Sequence, residues 1–185
     1  SQSLSYTRKK AERRKNMVYV FFATGFEEVE ALTVVDILRR GKIDVSMVSM
    51  EDSLEVVSSH KVTVVCDAFF CDIKDKKAEM LVCPGGMPGT LNLKAHEGLR
   101  SLLMMQYENG DYIAAICAAP TIFGSMGLLN GKNAVCYPGM EDQLTGAFTS
   151  EQKVVQDGNI ITSRGLGTAI EFGAKLVSLL RDEEE

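Results

Sequence analysis

Continuous apolar runs and helical periods alternate along this chain. Residues 17–23 are apolar throughout, the pattern of a strand buried on both faces. Thr24-Gly25-Phe26 turns that strand into a helix whose apolar positions Val29, Leu32, Val35 and Leu38 recur at helical spacing. Arg39, Arg40 and Gly41 supply the basic last turn and the glycine stop. Residues 43–48 predict a second strand, and residues 54–57 and 62–65, separated by Ser-Ser-His-Lys, a hairpin. Residues 80–83 form another buried strand ending in Pro84-Gly85-Gly86, and helical sequence follows over about 96–109. A strand at 112–116, a helix from Pro120 fading near 124–127, and a short strand at 134–137 come next. The Asp157-Gly158-Asn159 turn joins 154–156 to 160–162 as a second hairpin. An amphipathic helix over about 167–180 closes the pattern. Strands alternating with helices predict an α/β fold with a mostly parallel sheet covered on both faces. Ligands in such sheets sit beyond the carboxyl ends of the strands, where Gly25 to Glu30, Pro84 to Gly89 and Cys117 all fall.

Cys117 is the sharpest of these places. The apolar stretch Tyr112 to Ile116 stops at a thiol, two alanines and Pro120, the sequence of a strand, a tight turn and a helix. A cysteine at such an elbow aims its sulfur at N–H groups, and a helix terminus favours thiolate over thiol. Glycines after a strand leave main-chain donors uncovered, so Gly85-Gly86 and the N–H of Ala118 offer an oxyanion site. The first loop carries three carboxylates, Glu27, Glu28 and Glu30. Acids at a helix N-terminus complement its dipole, yet a carboxyl beside a thiolate is pushed towards its neutral form and becomes a proton donor.

Composition narrows the classes. The chain has 185 residues, 45% of them hydrophobic, with no run long enough to span a membrane. Residues 1–16 hold six basic residues and one acid. Setting them aside takes the basic count from 20 to 14 and the acidic count from 25 to 24, leaving a body of about −10. Such a body argues against nucleic acid as a partner. The leader reads as a disordered extension ahead of Met17, with a composition that transit peptides share. Residues 17–185 read as a single domain. The five cysteines (Cys66, Cys71, Cys83, Cys117, Cys136) lack metal-ligand spacing, and their odd number suits a reducing, cytoplasmic setting. Four of them, Cys117 excepted, read as mostly buried. No metal and no cofactor is implied.

Five blocks in order over about 165 residues resemble the DJ-1/ThiJ/PfpI superfamily, and its DJ-1-like branch in particular. They are A-T-G-F-E-E-V-E-A (23–31), V-D-I-L-R-R (35–40), V-C-P-G-G (82–86), A-A-I-C-A-A-P (114–120) and T-S-R-G-L-G-T-A-I-E-F (162–172). The resemblance implies a flavodoxin-like three-layer sandwich and a homodimer packed partly through the first helix. It implies that Cys117 is the reactive residue, Glu30 rather than Glu27 or Glu28 its carboxylic acid partner, and the N–H groups of Gly86 and Ala118 the oxyanion donors.

Departures from the family pattern matter for function. Tyr137 stands where many relatives place a histidine before a proline, and a phenol is a poor base at neutral pH. Ala118 replaces the histidine that follows the cysteine in PfpI-type peptidases, which argues against a protease dyad. Gly165-Leu166-Gly167-Thr168 replaces the family's glycine-proline-glycine-threonine loop and is expected to alter pocket shape only. His60 falls where relatives often carry an arginine approaching the neighbouring subunit's site, and is expected either to reach that pocket or to sit exposed at the hairpin tip. Arg164 is expected to form a structural salt bridge, with an acidic substrate as its alternative partner. His96 and the Met104-Met105 pair carry no assigned chemistry.

The resulting expectation is a cysteine-dependent, cofactor-free glyoxalase or deglycase acting on small reactive aldehydes or glycated groups. The alternative is an oxidative-stress sensor or redox chaperone in which Cys117 is oxidised to sulfinate and Glu30 donates to it. The thiamine-pathway activity suggested by the ThiJ name finds no supporting residue.

Overall fold

The computed structural model describes residues 17–181, so the basic leader and the last four residues lie outside the described part. A seven-stranded sheet runs in the order β10-β11-β7-β6-β1-β2-β5. Its strands are β1 (Met17–Phe22), β2 (Val45–Ser49), β5 (Ala68–Phe69), β6 (Ala78–Cys83), β7 (Tyr112–Ile116), β10 (Val154–Asp157) and β11 (Ile160–Ser163). Every neighbouring pair is parallel except β10 with β11. The remaining strands pair outside this sheet: β3 (Glu55–Val57) with β4 (Thr63–Val65), and β8 (Asn133–Ala134) with β9 (Phe148–Thr149).

Period-two alternation divides the strand residues between two cores. Tyr19, Phe21, Leu81, Cys83, Ile113 and Ala115 face one side. There they meet α3 (Gly89–Ala95), α4 (Glu97–Glu108) and α5 (Pro120–Ser125) through residues such as Leu93, Leu103 and Phe123. Val18, Val20, Phe22, Met80, Val82, Ala114 and Ile116 face the other side. There they meet α1 (Glu28–Arg40) and α6 (Ala169–Leu180) through Val34, Leu38, Phe172 and Leu176. The expected three layers are present, and α2 (Phe70–Ile73) adds one turn after β5. Among the described residues no helix is long and apolar enough to cross a membrane.

Several local expectations shift. The buried stripe of α1 is Ala31, Val34, Val35 and Leu38, while Val29 is exposed and Glu30 is buried. The helix is therefore rotated from the face that apolar spacing selected, and the rotation carries a carboxyl inward. Gly41 caps α1 at φ −75°, and the left-handed position belongs to Lys42. Glycine at 41 instead answers to packing, since a Cβ would stand 2.9 Å from Val177. The second strand starts two residues late, with Ile43 buried in the connection. The predicted strand at 134–137 shortens to β8 because Tyr137 donates its N–H to the Cys117 carbonyl instead of to a ladder. Strand β5 and helices α2 and α3 are too short for a periodic signal and were not expected.

Helices α1 and α6 pack against each other, and Gly173 lets them approach: its Cβ position lies 3.0 Å from Ile37. Overfilling this contact costs about 2 kcal/mol. Gly173→Leu is expected to lower the urea midpoint accordingly, and Ile37→Ala in the same chain to recover part of the loss.

Candidate active site at the ends of β1, β6 and β7

Parallel registry sets three strand ends side by side, with β6 aligned to both β1 and β7. The segments leaving those ends carry Glu30, Gly85-Gly86 and Cys117, and they converge. Cys117 lies immediately beyond β7 at φ 65°, a strained conformation for a side-chain-bearing residue. Its N–H donates to the Ser163 carbonyl at 3.0 Å and its carbonyl accepts from Tyr137 N–H at 2.8 Å. Held from both sides, the elbow projects a half-buried sulfur towards the N–H groups of Gly86 and Ala118, which both hydrogen-bond it.

Glu30 sits in the first turn of α1 and is only 1% exposed. It hydrogen-bonds Cys117, and its Oε1 accepts the Gly85 N–H at 3.1 Å. Residue 85 must be glycine here, because a Cβ would lie 2.6 Å from both the Cys117 Cβ and Glu30 Oε1. Gly86 follows at φ +94°, a conformation that turns its N–H towards the sulfur and that side chains resist.

Burial governs the acidities. It drives Glu30 up to about 7. The Cys117 and Gly85 hydrogen bonds oppose the rise, and the Glu27 charge adds to it. Burial, then the charge and hydrogen bond of Glu30, push Cys117 up to about 12, while the Ala118 and Gly86 N–H groups pull it down. The expectation of an acidified thiol therefore needs correcting: α5 has only six residues, and burial, with Glu30 added, outweighs the Ala118 and Gly86 N–H groups. The two groups titrate as one pair, losing a first proton near neutrality and holding the second far above it. Between those limits the pair carries one negative charge, in a site where the sulfur faces two main-chain donors and the carboxyl faces one.

The other candidates are placed differently. Glu27 is a structural cap: its Oε2 accepts the N–H groups of Val29 and Glu30. Glu28 pairs with His60, whose Nδ1 is 2.8 Å from Glu28 Oε1 and 3.4 Å from Glu27 Oε1. His60 is thus an exposed hairpin-tip residue engaged within its own chain. Tyr137 joins the elbow through its main chain, and its ring is half exposed. Arg164 makes no ion pair among the described residues, contrary to expectation. Its Nη1 reaches only the Glu151 carbonyl at 3.4 Å, and its charge lies near Cys136. His96 caps α4 by accepting Leu99 N–H and packs edge-on against Phe70. Cys66, Cys83 and Cys136 are buried as expected, but Cys71 is exposed. Sequence spacing gave no sign that His60 meets Glu27 and Glu28, since their contact depends on how the β3–β4 hairpin folds back on α1.

The family model for the DJ-1/PfpI family matches residues 16–179. The chain belongs to the DJ-1/PfpI family. Protein DJ-1 homolog B of Arabidopsis thaliana is 40% identical over 170 residues, covering 91% of this chain and 39% of that protein. The chain therefore spans about two fifths of that relative's length. Glutathione-independent glyoxalase DJR-1.2 of Caenorhabditis elegans is 33% identical over 162 residues, covering 86% of this chain and 85% of its own. The structure of oxidized Toxoplasma gondii DJ-1 superposes with a TM-score of 0.87 at 35% identity, covering 91% of this chain and 92% of that one. DJ-1/PfpI membership bears out the resemblance carried by the five motif blocks.

The raised pKa of Glu30 has a consequence for stability. Its folded value near 7 exceeds the ordinary 4.5, so the native state holds a proton that the unfolded chain releases. This contribution is full below pH 4.5 and is lost as pH rises through 7. Relative to Glu30→Gln, the wild type is expected to lose on the order of 3 kcal/mol across that window, measured by urea unfolding at stepped pH.

Proposed function

We propose that the chain is a cysteine-dependent, cofactor-free glyoxalase or protein deglycase acting on methylglyoxal-type aldehydes or their adducts. The observation that carries this reading is the buried Glu30 carboxyl, near-neutral in acidity and hydrogen-bonded to Cys117 where two N–H groups converge. The name of the Caenorhabditis elegans relative supports it. Cys117 thiolate adds to the aldehyde carbon, forming a C–S bond, and the oxyanion, held by Gly86 and Ala118 N–H, takes the Glu30 proton to give a hemithioacetal and leave Glu30 a carboxylate. Glu30 then takes the proton from that carbon and returns one to the neighbouring carbonyl carbon through an enediol. One carbon is oxidised to an acyl group while its neighbour is reduced to an alcohol, so no external redox partner enters. Water hydrolyses the thioester to the hydroxy acid and frees the thiol. With Tyr137 in place of a histidine, Glu30, hydrogen-bonded to Cys117, is the side chain assigned these proton transfers.

A second reading uses the same pair. In an oxidative-stress sensor the thiolate attacks peroxide, giving sulfenic acid and hydroxide, which together leave sulfenate and water, and a second peroxide carries the sulfenate to sulfinate and water. A protonated Glu30 then donates to a sulfinate oxygen. The oxidized state named for the Toxoplasma gondii relative favours this alternative, which is compatible with the first.

A homodimer through α1 belongs to the same proposal. Val29 on α1 and Val57, Val62 and Val65 on the adjoining hairpin are exposed apolar residues that a second copy would cover. Sedimentation at micromolar concentration is expected to give twice the chain mass.

Conversion of methylglyoxal to lactate, with product identified directly, tests the enzyme reading. Wild type is expected to produce lactate without added cofactor, Cys117→Ser none above background, and Glu30→Gln about 100-fold less than wild type. Consumption of methylglyoxal without lactate would refute turnover and leave the sensor reading, which intact mass after peroxide treatment then checks.

A further inference from the structure

Beside the Cys117–Glu30 pair lies a second cluster that the proposed reaction leaves unused. Glu27 precedes α1, Glu28 opens it, and His60 projects from the turn between β3 and β4. One ligand atom from each lies within 4.8 Å of the other two. We propose that Glu27, Glu28 and His60 form a binding site for a divalent transition-metal ion of zinc's chemistry.

The spacing fits such an ion. His60 Nδ1 stands 2.8 Å from Glu28 Oε1 and 3.4 Å from Glu27 Oε1. Ligands around a tetrahedral zinc, with bonds near 2.0–2.1 Å, are separated by about 3.3 Å. Small side-chain rotations therefore suffice to admit the ion. Three protein ligands leave a fourth position for water or a ligand oxygen. One imidazole nitrogen with two carboxylate oxygens favours zinc-like ions over magnesium or calcium, which prefer oxygen alone.

The ligands are also held in advance. Glu27 is buried, and its Oε2 is fixed by the Val29 and Glu30 N–H groups, which leaves Oε1 directed at His60 with, among the described residues, no main-chain N–H or hydroxyl donor. The hairpin is tied to the α1 loop by Ser59 N–H to the Phe26 carbonyl and by Gly25 N–H to the Val57 carbonyl, at 2.8 and 2.9 Å. Ser59 Oγ lies 3.2 Å from His60 Nδ1 and 3.4 Å from Glu28 Oε2, placed to hold that carboxylate once Nδ1 turns to the metal.

Charge points the same way. Glu27, Glu28 and Glu30 crowd this end of the sheet, and among the described residues no lysine or arginine makes an ion pair with any of them. A divalent ion would supply the missing positive charge. It would also offset the like charge that Glu27 presents to Glu30. The simpler alternative is a plain ion pair between His60 and Glu28.

Calorimetric titration of zinc into the full chain separates the two. Using Cys71→Ser/Cys117→Ser as the background removes the accessible thiols, so neither the nucleophile nor its activity enters the readout. The expected result is one zinc per chain, with affinity at least tenfold weaker on adding either His60→Ala or Glu28→Gln, and no displacement by magnesium. His60 is exposed, so its removal leaves the fold intact, which circular dichroism verifies. Absence of zinc binding, or binding as tight after His60→Ala, overturns the proposal. Because the background lacks Cys117, either outcome stands apart from the fate of the glyoxalase reading.

Discussion

Glu30 is withdrawn from water in the first turn of α1 and set against the Cys117 sulfur, and much of this end of the sheet is built around that burial. An isolated buried carboxylate is costly, so the group either keeps its proton or is met by donors. Both responses are present. Its acidity falls to the neutral range, and the Gly85 N–H is brought to its oxygen. The glycine at 85 follows from this approach, since any side chain there would occupy the space between the carboxyl and the thiol.

The sheet makes the approach possible. Strands β1, β6 and β7 run parallel in adjoining register, so the loops leaving them open on one edge. Two apolar layers hold those strands from opposite faces, and the helices that cover them determine where each loop must end. The rotation of α1 that exposes Val29 is the same rotation that buries Glu30. Packing against α6, where Gly173 meets Ile37, keeps α1 in that orientation. The acid is thus positioned by contacts well away from the thiol.

The elbow and the β3–β4 hairpin work on that edge from either side. Cys117 keeps a left-handed main chain because Ser163 and Tyr137 bond its amide and carbonyl. The hairpin folds across the loop before α1 and brings His60 to the two outer carboxylates. One edge therefore carries two neighbouring polar clusters, linked by Glu27, whose charge acts on Glu30 while its side chain faces His60.

The alternation of apolar runs with helical periods determined the layered parallel fold, because strands buried on both faces and amphipathic helices each leave a distinct periodicity. The run from Tyr112 to Pro120 likewise made the elbow legible, and the strand-end positions of Gly25, Gly86 and Cys117 implied their convergence. Which of three glutamates would face the thiol was not legible from spacing, and only the family resemblance selected Glu30. Tertiary structure decided it physically, since the phase of α1 depends on what packs against its other side. The same holds for the acidity of Cys117, where burial and a neighbouring charge outweigh the main-chain donors at the elbow. It holds again for His60, 32 residues beyond Glu28 in the chain. Periodicity reports which face of an element is buried, but contacts between elements are set by how those faces meet.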